Sequence, residues 1–166
     1  MTNRISITAI SFFIILSLLL SGCSLEPGSE LGIYLTDTGE LVLCESDISS
    51  FDSEHMFLEL NKNGIKRWNS FAPTGIAPKL ADTLHARDFV FKLEGEELFE
   101  GKFWSLASSQ MHVGPVIEGS LFEMNEAGNR LFIKYGCPPT MADDPGMLET
   151  VKEKLIQHFG KAGLLH

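Results

Sequence analysis

The stretch Met56-Phe57-Leu58-Glu59-Leu60-Asn61-Lys62-Asn63-Gly64-Ile65-Lys66-Arg67-Trp68 writes a strand, a helix cap and a helix in one short span. Met56, Leu58 and Leu60 alternate with Phe57 and Glu59, the period of two that turns one row of side chains toward a core. Asn61 follows at once, and its side-chain oxygen suits the free amides of a first helical turn. Ile65, Trp68 and Phe71 or Ala72 then share one helical face, and Pro73 and Gly75 stop it.

The flanking segments repeat the strand pattern. Upstream, Leu31, Ile33 and Leu35 alternate with Gly32, Tyr34 and Thr36, the turn residues Asp37-Thr38-Gly39-Glu40 follow, and Leu41 to Cys44 resumes, so a hairpin is expected. Ser46 to Phe51 suggests a single helical turn. Ala77 to Ala86 fits a short helix or a loop. Phe89, Phe91 and Leu93 alternate into a Glu94-Gly95 turn, and Phe99 and Phe103 share one face of the return strand. Val116-Ile117, Leu121 to Met124 and Leu131 to Tyr135 are further strands, the last two flanking a hairpin loop at Asn125 to Arg130.

Asp144-Pro145 opens the last helix as cap and first-turn proline. Leu148, Val151, Leu155, Ile156 and Phe159 then form a stripe at helical spacing, and Gly160 stands at the stop. The fold class that follows is α+β: a mostly antiparallel or mixed sheet with two main helices packed on it, behind a cleaved lipoprotein signal.

That signal is read at the N-terminus. Arg4 supplies a positive start, Ile5 to Leu20 carry no charge, and Leu20-Ser21-Gly22-Cys23 has the form of a bacterial lipobox. The apolar run is short for a spanning helix, which needs about 20 residues. The expectation is a signal peptide over 1–22, cleavage before Cys23, and acyl chains on Cys23 as the lipid attachment. Each buried methylene is worth about 0.8 kcal/mol, so two chains anchor firmly where one is marginal. Residues 23–30 make a lipidated tether reaching roughly 25 Å, and 31–166 a single domain. The protein is then expected in the cell envelope, facing outside the cytoplasm, on the outer membrane if the organism has one and otherwise on the cell membrane.

Charge narrows the partners. With Arg4 removed from the 13 basic residues, 12 stand against 22 acidic ones, a charge of −10. Such a domain is repelled by phosphate, which argues against nucleic acid. Beyond the membrane itself, reached through covalent lipid, a protein partner is expected, with no cofactor.

Cys44 and Cys137 remain once Cys23 carries lipid. In an oxidising compartment they either form a disulfide, closing a loop of about 94 residues, or stay two separate buried thiols. The histidines at 55, 85, 112, 158 and 166 lack metal-ligand spacing. His158, off the main stripe of its helix, reads as solvated. Glu94, Glu96, Glu97 and Glu100 read as a solvated acidic face, and Ser105, Ser108 and Ser109 as a turn without a nucleophile elbow. Phe103 and Trp104, beside the Gly- and Ser-rich segment Ser105 to Gly114, are either a contact surface or an aromatic pair shared between core and surface.

Met56 to Trp68 resembles the strand-cap-helix phrase in the periplasmic head of SecD, a subunit of the bacterial Sec translocase. Phe89 to Phe99 (FVFKLEGEELF) is similar to the family's later strand, with Glu94-Gly95 in place of its Asp-Gly. Val116-Ile117-Glu118-Gly119 echoes a following Ile-x-Gly. The resemblance spans Met56 to Gly119 and implies an α+β head that contacts polypeptides or envelope proteins; it implies neither translocase activity nor catalytic residues. The leading functional expectation is a non-enzymatic, lipid-anchored interaction module. A structural envelope lipoprotein and a small hydrolase using His and carboxylate groups are the alternatives.

Overall fold

A computed structural model describes residues 31–71, 84–104, 108–119, 124–138 and 146–166. The alternating runs become strands β1 (Leu31–Leu35), β2 (Leu41–Cys44), β3 (Ile48–Asp52), β4 (Phe57–Leu60), β5 (Asp88–Leu93), β6 (Glu96–Trp104), β7 (His112–Glu118) and β8 (Arg130–Cys137). Two helices accompany them, α1 (Lys62–Ser70) and α2 (Met147–Ala162). The fold is α+β on a mixed sheet, as expected.

Both hairpins form. β1 pairs antiparallel with β2, and β5 with β6. Glu94 and Gly95 both take positive φ, 52° and 83°, the geometry of a two-residue turn that matches strand twist. Ser46 to Phe51 differs from expectation: a 3-10 turn covers Glu45–Asp47, and the chain then extends as β3. Ile48 and Phe51 are buried, and pairing with β4 satisfies the backbone beside them. The signal and tether over 1–30, the helix stop at Pro73 and Gly75, most of the segment beginning at Ala77, and the cap at Asp144-Pro145 lie outside the described residues. So do positions 121–123 of the strand expected before Asn125. Met124 is described, buried and outside any strand, and β8 takes β7 and β4 as its neighbours.

The sheet runs β2-β1-β5-β6-β7-β8-β4-β3, with β6 and β7 parallel and the other neighbours antiparallel. β2 and β3 are therefore its two ends, yet Glu45–Asp47 alone joins them. Laid flat, eight strands would put the ends about 34 Å apart. Four residue steps span no more than about 14 Å. The sheet must curl, and it does so into a half-barrel.

Helix α1 is fastened at that junction. Asn61 Oδ1 accepts from the Asn63 and Gly64 amides at 2.9 and 3.2 Å, as its cap position requires. Its own N–H donates to the Asp47 carbonyl at 3.0 Å, and its side-chain amide to the Ser46 carbonyl at 2.8 Å. Gly64 touches the Asp47 backbone so closely that any Cβ would collide with it. Trp68 meets Phe103 edge-on at 5.7 Å inside the core.

Helix α2 buries Val151, Leu155 and Phe159, with Phe159 stacked on Phe51 of β3 at 5.2 Å. Its stop is Gly163, not Gly160. Gly163 takes φ 71°, and the Leu164 amide reaches back to the Phe159 carbonyl at 2.9 Å, the six-to-one bond of a Schellman end. Gly160 stays helical because the stripe at Val151, Leu155 and Phe159 keeps that turn packed.

Candidate functional site

Phe103 and Trp104 are neighbours on β6 and so face opposite sides of the sheet. Phe103 enters the main core. Trp104 joins a separate small cluster with Val116 and Cys137. Both side chains are buried, Trp104 being 4% exposed, so neither forms the exposed contact surface that the sequence allowed. Trp104 lies between two imidazoles, with ring centroids 4.8 Å from His85 and 5.2 Å from His112. Its indole Nε1 has no hydrogen-bond partner among the described residues.

What reaches solvent is the strand beyond this stack. Met111 and Val113 are 64% and 65% exposed and are the large hydrophobic side chains left open among the described residues. They flank His112, which turns inward to Trp104. A hollow of about 290 Å³ opens beside Val113, lined in part by Asp88, Glu100, Lys102, His112, Val113 and Pro115. Lys102 Nζ binds Asp88 Oδ1 at 2.5 Å across its wall. Gly101 lets the Pro115 carbonyl approach β6, since a Cβ there would meet that oxygen. Burial lowers the His112 pKa from its ordinary 6.5, and the Lys102 charge adds to the effect, against Asp88.

Among the described residues of the segment Ser105 to Gly114, the exposed apolar side chains are Met111 and Val113. Two apolar residues alternating across His112, after the polar Ser108-Ser109-Gln110, were the available signal. Ser105 lies outside the described residues; Ser108 Oγ accepts the Gln110 amide at 3.2 Å, a local turn.

A second hollow, of about 260 Å³, separates the β5–β6 turn from helix α2. Glu94, Glu96 and Glu97 face Lys154, His158 and Lys161 across it, so the acidic face is opposed by a basic one. His158 is 4% exposed rather than solvated, its Nε2 3.5 Å from Glu45 Oε2. Glu45, from the turn that joins β2 to β3, stands beside it, which the helical period alone does not reveal.

Cys44 and Cys137 are buried, and no disulfide joins them. They lie on β2 and β8, with β1, β5, β6 and β7 between them in the sheet, and the expected alternative of a bridge is not realised. Burial raises the Cys137 pKa above 9.0, helped by Glu118 and opposed by Lys134, which disfavours a reactive thiolate. His55 Nδ1 meets Asp52 Oδ1 at 3.2 Å in the open. The His55 amide, more than its ring, holds the Asp52 carboxyl below the usual range. His55 and His85 line neither hollow. Among the described residues no group of three or more His, Cys, Asp or Glu side chains is placed to hold a metal, and no helix is long and apolar enough to cross a membrane.

The fold and site define an α+β protein with a half-closed mixed sheet and an apolar pair on its outer rim. Compared with known proteins, the chain matches no family model, no curated protein and no solved structure at a significant level.

Proposed function

We propose that the chain is a lipid-anchored, extracytoplasmic interaction module that binds a polypeptide or envelope partner near the membrane without chemistry of its own. The exposed pair Met111 and Val113 carries the binding part of this reading. Water-exposed apolar side chains, Val113 at the rim of a hollow and Met111 two residues before it, gain free energy when a partner covers them. The lipid part rests on Leu20-Ser21-Gly22-Cys23, and the likeness to the SecD head adds the expectation of a polypeptide ligand. An acidic body on a short tether favours partners that come to the membrane.

Two measurements test it. Intact-mass analysis of the native protein should show a chain beginning at Cys23 with added acyl mass, and Cys23→Ser should release the protein from membranes. A photocrosslinker at position 113 should capture a discrete envelope protein, and the Met111→Ser/Val113→Ser pair should cut capture at least tenfold. A chain beginning at Met1 without acyl mass removes the anchor; unchanged capture removes the surface.

A further inference from the structure

The β3 edge of the sheet is already occupied. Residues 164–166 run beside it in parallel, bridged through Phe51 and Leu165. The Phe51 amide donates to the Leu164 carbonyl at 2.8 Å, the His166 amide to the Phe51 carbonyl at 2.9 Å, and the Ser53 amide to the His166 carbonyl at 3.3 Å. These are main-chain bonds, so the edge recognises extended backbone, with side chains adding selectivity. Leu164 and Leu165 are half-buried against the core, whereas His166 is exposed.

Three main-chain bonds hold this pairing. The gain from a few hydrogen bonds exchanged with water is largely offset by the cost of ordering the residues that make them. Segments of this kind open at far lower free energy than the sheet they lie on.

We propose that the β3 edge is a strand-addition site for an extended polypeptide. The incoming segment pairs parallel to β3, displaces residues 164–166, and sets an aliphatic side chain where Leu165 lies. The chain's own residues 164–166 show both the direction of pairing and the side chain the slot accepts. The site lies apart from Met111 and Val113 and depends on neither that surface nor the anchor.

The test titrates the full, labelled chain with a capped synthetic peptide of residues 160–166 (GKAGLLH), followed by the amide signals of Phe51 and Ser53. Saturable shifts at those amides are expected, and N-methylation of the last peptide residue should abolish them. His166→Pro removes the donor to the Phe51 carbonyl and frees the slot, so the peptide should bind about tenfold more tightly. Leu165→Ser keeps the backbone bonds, loses the apolar contact, and should give a smaller gain in the same direction. Absence of saturation, equal affinity in all three proteins, or undiminished binding of the N-methyl peptide would each overturn the proposal.

Discussion

Arg67 Nε lies 2.8 Å from Asp47 Oδ2, tying helix α1 to the turn that joins the two ends of the sheet. The same Asp47 oxygen accepts the Cys44 amide at 3.0 Å and faces the Cys44 thiol at 3.3 Å. Asp47 is 1% exposed, so its carboxylate relies on these partners in place of water. Asp47→Ala leaves Arg67 and the Cys44 amide without their acceptor and should cost about 3 kcal/mol. Asp47→Asn keeps an acceptor for the amide and should cost less. Urea denaturation of both variants checks the order.

Gly64→Ala isolates the same junction. In a free helix alanine is favoured by about 1 kcal/mol. Here its Cβ would collide with the Asp47 carbonyl, which is backbone and cannot swing aside. The expected outcome is a net loss of about 1–3 kcal/mol, seen as a lower denaturation midpoint. A gain in stability would show that the helix rides farther from the turn.

The division between packing and contact is tested on the outer face. Trp104→Ala empties a buried site and should destabilise by about 3–5 kcal/mol. Met111→Ser and Val113→Ser should each change stability by no more than about 0.5 kcal/mol while weakening capture. Thermal melts read beside crosslinking separate the two effects.

His112 makes stability depend on pH. Its folded pKa lies below 6.5, so the unfolded chain takes up a proton first as pH falls. The contribution is complete above about pH 6.5 and is lost as pH drops toward the folded value. Stability should therefore rise with pH across that window, and His112→Gln should flatten the rise. A steeper slope in the variant would contradict the cause assigned to the shift.

The thiols give a count. Cys44 and Cys137 are buried and not bridged, so alkylation without reductant should be slow in the native protein. After unfolding it should label both, and Cys23 as well only if that residue carries no lipid. No labelling at positions 44 and 137 would mean a disulfide.

Much of the fold is legible because its signals are local. Asn61 announces its helix, and Glu94-Gly95 its turn, through bonds made within a few residues. Phe103 and Trp104 show where such reading ends. Their adjacency puts them on opposite faces, but whether the Trp104 face is covered depends on His85 and His112, which only the folded chain sets against that ring. His158 repeats the lesson, since Glu45, which stands 3.5 Å from its buried ring, is written more than a hundred residues earlier.

By itself the sequence determined most of the strands, the Asn61 cap, the acidic balance and the expectation of a lipidated Cys23, because periodicity, turn chemistry and charge act over short range. Tertiary structure alone decided that β2 and β3, consecutive in the chain, stand at opposite ends of one sheet. It also decided that Asp47 is buried where those ends meet, that Cys44 and Cys137 stay apart, and that Met111 and Val113 rather than Trp104 face water. The physical reason is closure: curling the sheet brings remote residues together, and no local pattern encodes which of them meet.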